Sequence, residues 1–280
     1  MQVFTTINSL QLALKIARTS HTIGFVPTMG ALHEGHMSLI KSAKKKSDKI
    51  VVSIFVNPTQ FDKQEDLTNY PSTIQTDIEL LESESCDFLF IPSVKEMYAE
   101  NVKAKSFDFD GLDQVMEGAH RQGHFNGVGT VVKQLFEIVK PNSAFFGEKD
   151  FQQLQIIKKM VEKEKFSLQI IGVPIFRESD GLAMSSRNAR LTDSFRKEAP
   201  FIYETLQKAK VFFGMNSALN TIEWVEDVFS KHPTLKLEYF SIANETDLKT
   251  ATSTNPNEKY RAFIAVFAGK IRLIDNIALY

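Results

Sequence analysis

The stretch TIGFVPTMGALHEGHMSLI, residues 22–40, reads as a strand that runs through a short polar turn into a helix. Residues 22–26 form the strand, and the helix is predicted around residues 35–47. Gly30 lies in the turn, where a residue without Cβ lets backbone approach a ligand closely. The helix N-terminus behind it offers free N–H groups and the positive end of a dipole, which together make an anion site. His33 and His36, three residues apart, project from one face of the first helical turn. Two imidazoles so placed could contact phosphate, ligate a metal or be purely structural. The metal reading needs a third ligand, and zinc peptidases use another spacing with a catalytic glutamate. No cysteine or further histidine lies close by in the sequence.

Outward from this stretch, strands and helices alternate. KIVVSIFV (49–56) is a continuous apolar run, the kind buried on both faces of a parallel sheet. A helix near 73–83 and the strand DFLFI (87–91) follow. Residues 128, 131, 132, 135, 138 and 139 are apolar at helical spacing. Then come the strand SAFF (143–146), a helix near 150–162 and the strand SLQIIGVPI (167–175). This alternation predicts βαβ units and an α/β, Rossmann-like doubly wound parallel sheet. After about residue 185 the pattern changes. Helices near 193–213 and 219–231 precede three strands, the last two joined by a turn at Ala268-Gly269-Lys270, which predicts a smaller C-terminal α+β domain. We place the division at 1–178, the strand–helix half, and 179–280, a smaller lid domain.

Composition narrows the class. The chain has 280 residues and a net charge of −1, with 43% hydrophobic and 24% charged residues. Near-neutral charge disfavours a dedicated nucleic-acid binder, which needs a basic excess. Lys44-Lys45-Lys46 reads as a solvated helix face. The single cysteine, Cys86, permits no intrachain disulfide and fits a reducing, cytoplasmic setting. It reads as a small core residue. No apolar run is long enough to span a bilayer, so no membrane partner is expected. The first 33 residues lack acids, as transit peptides do, but their helical periodicity leads straight into a domain strand.

Ligands of doubly wound sheets bind beyond the carboxyl ends of the strands. Four polar clusters follow strands here. The first holds His33 and His36. In FGEKD, Gly147 allows a tight turn and Lys149 sets a positive charge beside a helix start that Asp150 could cap. NPTQF supplies the neutral amides Asn57 and Gln60, which orient hydroxyl and carboxylate groups. Of Gln152 and Gln153, one is expected to face the strand ends and the other solvent. GLAMSSRN groups Ser185, Ser186 and Arg187, which suit phosphate oxygens and could swing in as a lid. Each cluster alone has an ordinary structural reading as a turn, cap or loop. There is no nucleophile–base pair, no dinucleotide glycine fingerprint and no Walker lysine motif.

PTMGALHEGH, FVNPTQF, RQGHFNGVGTVV, FGEKDFQQL and DGLAMSSRN, in this order and running to the terminal RLIDN, resemble the pantothenate synthetases (pantoate–β-alanine ligases) of the His-x-Gly-His nucleotidyltransferase superfamily. The resemblance implies an ATP- and Mg²⁺-dependent enzyme that joins (R)-pantoate to β-alanine through pantoyl adenylate, releasing AMP and diphosphate. It implies small-molecule substrates and a homodimer. ATP would be lined by Met29, Gly30, Ala31, Leu32, His33, Glu34, Gly35 and His36, by Gly147, Glu148, Lys149 and Asp150, by Phe176, and by Met184, Ser185, Ser186 and Arg187. His33, His36 and Lys149 would be catalytic, with His36 the residue the family treats as proton donor. Gln60, Gln153 and Asn57 would hold pantoate, with Gln60 also near β-alanine. Phe176 replaces a usual valine whose backbone meets adenine. Ser72, Gln122 and Arg190 depart from the usual Arg, Pro and Tyr, none at a residue assigned to chemistry. An AMP transferase acting on a phosphate acceptor is the rival enzyme reading; Gln60 and Gln153 suit an unphosphorylated acceptor better. An inactive nucleotide-binding regulator is the rival outside enzymes, and the intact cationic and histidine set speaks against it.

Overall fold

The structure is a computed structural model that describes residues 1–61, 67, 68, 70, 71, 73–99 and 101–280. Ser72 lies outside the described residues. The chain forms two compact units, Met1–Glu148 with Gln153–Pro174, and Lys149–Gln152 with Ile175–Tyr280.

The first unit is built on six parallel strands: β1 (Gln2–Phe4), β2 (Ile23–Thr28), β3 (Lys49–Ile54), β4 (Phe88–Phe90), β5 (Ser143–Gly147) and β6 (Gln169–Val173). Their order is β1-β4-β3-β2-β5-β6. Parallel neighbours need crossover connections. These are supplied by α1 (Ile7–Ala17), α2 (Glu34–Lys44), α3 (Ile74–Ser83), α6 (His124–Val139) and α7 (Phe151–Lys163), with the short α4 (Val94–Tyr98) and α5 (Met116–His120) between β4 and α6. The central strand β2 is apolar because both its faces are covered. Phe25 meets Phe136 of α6 edge-on at 6.3 Å, while Val26 clusters with Met37 and Ile40 of α2. The predicted α/β class and parallel sheet are present. The short β1, α4 and α5 had no sequence signal of their own.

The order of strands positions the site. From β2 the chain steps to β3 and β4 on one side, then returns to β5 on the other side of β2 and moves on to β6. The winding direction therefore reverses between β2 and β5, and the crevice at that switch point is where such sheets take ligands. Residues 29–36 follow β2 and Gly147 closes β5.

The second unit carries an antiparallel sheet, β7 (Leu235–Asn244), β8 (Tyr260–Ala268) and β9 (Ile271–Ala278), in that order. Gly269 turns between β8 and β9 with φ 62°. Helices α8 (Asp193–Glu198), α9 (Phe201–Phe213) and α10 (Ala218–Ser230) complete it. The single helix expected near 193–213 is broken, because Pro200 has no N–H to give the Arg196 carbonyl. Leu206, Val225, Ile242 and Ile264 centre a core separate from that of the first unit. The segment Lys149–Gln152 belongs here through close ties: Asn276 Nδ2 donates to the Lys149 carbonyl at 2.9 Å, and Phe151 lies under the Arg261 guanidinium at 4.0 Å.

Candidate functional site

In the first unit, His33 is the N-cap of α2 and His36 its third residue. The Gly35 N–H donates to His33 Nδ1 at 3.1 Å, and the His33 N–H donates to His36 Nδ1 at 3.3 Å. This is a capping box in which imidazoles replace the usual hydroxyl and carboxylate. It has a chemical consequence. A nitrogen that accepts from an amide cannot carry hydrogen, so each neutral ring holds its proton on Nε2. The rings lie 4.1 Å apart between centroids. Gly30 and Ala31 before them have φ of 84° and 51°. The N–H groups of Ala31 and Leu32 donate to Asp77 of α3, at 3.0 and 2.8 Å. Glu34 is exposed, and Gly35 and Met29 are half-buried.

The amides assemble beside this turn. Asn57, 1% exposed, caps a short 3₁₀ turn, Pro58–Gln60. Its Nδ2 donates to Gln60 Oε1 and to the Gly127 carbonyl, both at 3.2 Å, and its Oδ1 accepts from Tyr98 Oη at 2.6 Å. His124 Nδ1 lies 2.8 Å from the Gln60 carbonyl. Gln60 Nε2 reaches Met29 Sδ at 2.8 Å, so the loops after β2 and β3 meet. Gln153, on α7, is half-buried. Gln152 is 4% exposed and thus the more buried of the pair. Asp77, Tyr98, His124 and Gly127 are polar or backbone groups at this site for which the sequence reading had no role. His124 and Gly127 sit within the RQGHFNGVGTVV motif; Asp77 and Tyr98 carry no local signal.

In the second unit, Lys149, Ser185, Arg187, Asn188, Arg272 and Asp275 line a small hollow that is partly open to solvent. Ser185 caps the 3₁₀ turn Ser186–Arg190, accepting from the Arg187 N–H at 3.3 Å, and Arg187 Nη1 donates to the Arg272 carbonyl at 3.2 Å. Lys149 Nζ lies 3.6 Å from the exposed Asp150 carboxylate. Arg177 holds the buried Asp275 carboxylate bidentately at 2.6 and 3.0 Å and stacks on Tyr203 at 3.6 Å. Burial pushes the Asp275 carboxyl up, and the Arg177 guanidinium opposes that shift. Within this unit, residues 176–188 form a braced hairpin with an antiparallel bridge between Arg177 and Ala183. Met184 N–H donates to the Phe176 carbonyl at 3.0 Å, Asn188 Nδ2 donates to Glu178 at 2.7 Å, and Arg196 bridges Glu178 and Asp180. Phe176 and Arg190 are exposed, as is Gln122 of the first unit.

The chain as a whole is similar to known proteins. The family model described as pantoate-beta-alanine ligase matches residues 2–278. A pantothenate synthetase of Christiangramia forsetii is 56% identical over 281 residues, covering 100% of this chain and 99% of that protein. The Bacteroides fragilis pantothenate synthetase is 48% identical over 278 residues, covering 99% and 98%. Among solved structures, the pantothenate synthetase of Thermus thermophilus is similar with a TM-score of 0.93 at 38% identity, over 100% of both chains. The pantoate-beta-alanine ligase of Francisella tularensis, complexed with beta-gamma ATP and beta-alanine, gives a TM-score of 0.84 at 37% identity, covering 100% of this chain and 98% of that one.

Proposed function

This chain belongs to the pantoate–β-alanine ligase family, and we propose that it condenses (R)-pantoate with β-alanine at the expense of ATP, through pantoyl adenylate, releasing AMP and diphosphate. The observation that carries the reading is the imidazole capping box after β2, which sets two histidines at a helix N-terminus beside the switch point of the sheet. Adenylation needs charge stabilisation and alignment more than covalent help from protein. His33 and His36 donate to the phosphates through Nε2. Lys149, Ser185, Ser186 and Arg187 supply the cationic and hydroxyl partners. Met29–Leu32, Glu34, Gly35, Gly147, Glu148, Asp150, Phe176 and Met184 shape the nucleotide site. Asn57, Gln60 and Gln153 take the hydroxyls and carboxylate of pantoate, with Gln60 also beside β-alanine. Residues 1–178 act as the binding domain and 179–280 as the closing one.

Magnesium would travel on the ATP phosphates, where it neutralises charge. The exposed Asp150 carboxylate beside Lys149 is the oxygen donor that fits a hard cation there. No helix of the described residues is long and apolar enough to cross a membrane. A cytoplasmic homodimer is our reading from the family resemblance. The test is to incubate the protein with ATP, Mg²⁺, pantoate and β-alanine and follow AMP. Pantoate-dependent AMP is expected. Formation of ADP, or AMP release indifferent to pantoate, overturns the ligase reading.

A further inference from the structure

Beneath the nucleotide loop sits a carboxylate that the reaction itself does not require. Asp77, in the first turn of α3, is 1% exposed. Its Oδ2 accepts from the Ala31 N–H at 3.0 Å and its Oδ1 from the Leu32 N–H at 2.8 Å; the Thr73 hydroxyl donates to Oδ1 at 3.1 Å. Removing a carboxylate from water is costly unless donors satisfy it. Here three donors do so, and the positive end of the α3 dipole assists.

What it grips needs gripping. Gly30 and Ala31 follow one another at φ 84° and 51°. An alanine in the left-handed region is strained by its Cβ, and the N–H groups that this turn directs at α3 would be orphans without an acceptor. The fit is close: a Cβ on Gly30 would stand 3.0 Å from Ile54 Cγ2 and 3.1 Å from Asp77 Oδ2. Leu32 immediately precedes the cap His33, so anchoring its N–H sets the direction in which the chain enters α2. That direction decides whether the Gly35 and His33 amides can reach the two Nδ1 atoms.

We propose that Asp77 is a positioning residue of the ligase reaction, fixing the turn at residues 30–32 so that His33 and His36 are both held as Nε2–H tautomers facing one phosphate site. This rests on the reading of the two histidines as phosphate donors. It also assigns the Ala31 and Leu32 amides to Asp77 rather than to ATP.

Asp77→Asn keeps the shape but sets an NH₂ against one of the two N–H groups. The kcat/KM for ATP should fall by up to about 10²-fold, the cost of a displacement of about 1 Å, with a raised KM for ATP, while the KM for pantoate stays near wild type. A mere loss of folded protein would lower the apparent kcat and leave both KM values alone. Asp77→Glu, which retains a carboxylate, should recover part of the loss. Long-range ¹H–¹⁵N spectra of histidine-labelled protein should show Nε2–H on both rings in wild type and Nδ1–H forms in Asp77→Asn. The proposal is overturned by an unchanged ATP KM with wild-type tautomers in the variant. It is equally overturned by Nδ1–H on either ring in wild type, a measurement that needs no variant to fold. A wild-type protein that makes no pantoate-dependent AMP would instead defeat the ligase reading, and the tautomer spectra would still judge Asp77.

Discussion

At His36, the backbone bond to Nδ1 separates two roles an imidazole can play. A general acid must carry a proton it can release and regain. With Nδ1 accepting from the His33 amide, the neutral His36 ring has its proton on Nε2, and under the proposed function it acts as a hydrogen-bond donor. His36→Ala should therefore lower kcat by about 10²–10³-fold, the effect of deleting one preorganised donor. His36→Gln keeps an N–H near the Nε2 position yet has no proton to give, so it should recover part of the rate. A glutamine variant as slow as alanine would return His36 to proton transfer. Cys86 gives a contrasting residue-level expectation. It is buried, and burial pushes its thiol from about 9.0 up to about 12. Iodoacetamide at pH 8 should leave the native protein unmodified and label it after denaturation; native labelling would contradict that burial. The folded state keeps the proton between pH 9.0 and about 12, where the unfolded chain releases it. This thiol's contribution to stability is thus whole below pH 9.0 and lost as the pH rises through that window. His33, His36 and Cys86 could be read from the sequence because neighbours within a few residues define them. Asp77 could not: the backbone amides it accepts from lie 45 and 46 positions earlier, and locally it is an acid in a helix's first turn.

Helix α6 and the turn after β3 meet where only a glycine fits. Glycine in a helix normally costs about 0.5–1 kcal/mol relative to alanine, so replacing Gly127 would stabilise an isolated α6. In the fold, a Cβ at Gly127 would stand 2.1 Å from the Thr59 carbonyl oxygen and 2.7 Å from Gln60 Cα. Backbone must part to admit it. Gly127→Ala should then destabilise by about 1–3 kcal/mol, as overpacking does, and raise the KM for pantoate, because Asn57 and Gln60 hang from the displaced turn. Urea midpoints and steady-state kinetics read both. A variant more stable than wild type with unaltered pantoate KM would show that the contact relaxes freely. Elements with strong local pattern were legible: β2, β3 and α2 carry apolar runs or helical spacing bounded by turn residues. The break between α8 and α9 was written in Pro200 yet masked by helical spacing on both sides. The three-residue β1 is a strand because it pairs with β4 at Gln2↔Phe88, a partnership no window of sequence contains.

At the scale of the whole molecule, each unit buries an apolar cluster of its own. Leu89 lies fully buried in the first and Leu206 in the second. The chain has a single tryptophan, Trp224, and it packs in the second unit, stacked on Phe212 at 5.4 Å. Its fluorescence therefore reports that unit alone, whereas far-UV circular dichroism sums the helices of both. Leu206→Ala should cost about 2–5 kcal/mol and move the fluorescence transition to lower urea, ahead of the main dichroism transition. Leu89→Ala should do the reverse. Coincident shifts of both signals in both variants would mean that the units unfold as one cooperative body. The same reporter tests where ATP is held. Lys149, Ser185 and Arg187 all belong to the unit that Trp224 watches. A ligand that binds only the folded state adds about 2.7 kcal/mol at a hundred times its dissociation constant, so ATP with Mg²⁺ should raise the fluorescence midpoint. Lys149→Ala and Arg187→Ala should each diminish that rise. ATP that moved only the dichroism transition would take the phosphate partners out of the second unit and leave the imidazole pair to hold the nucleotide alone.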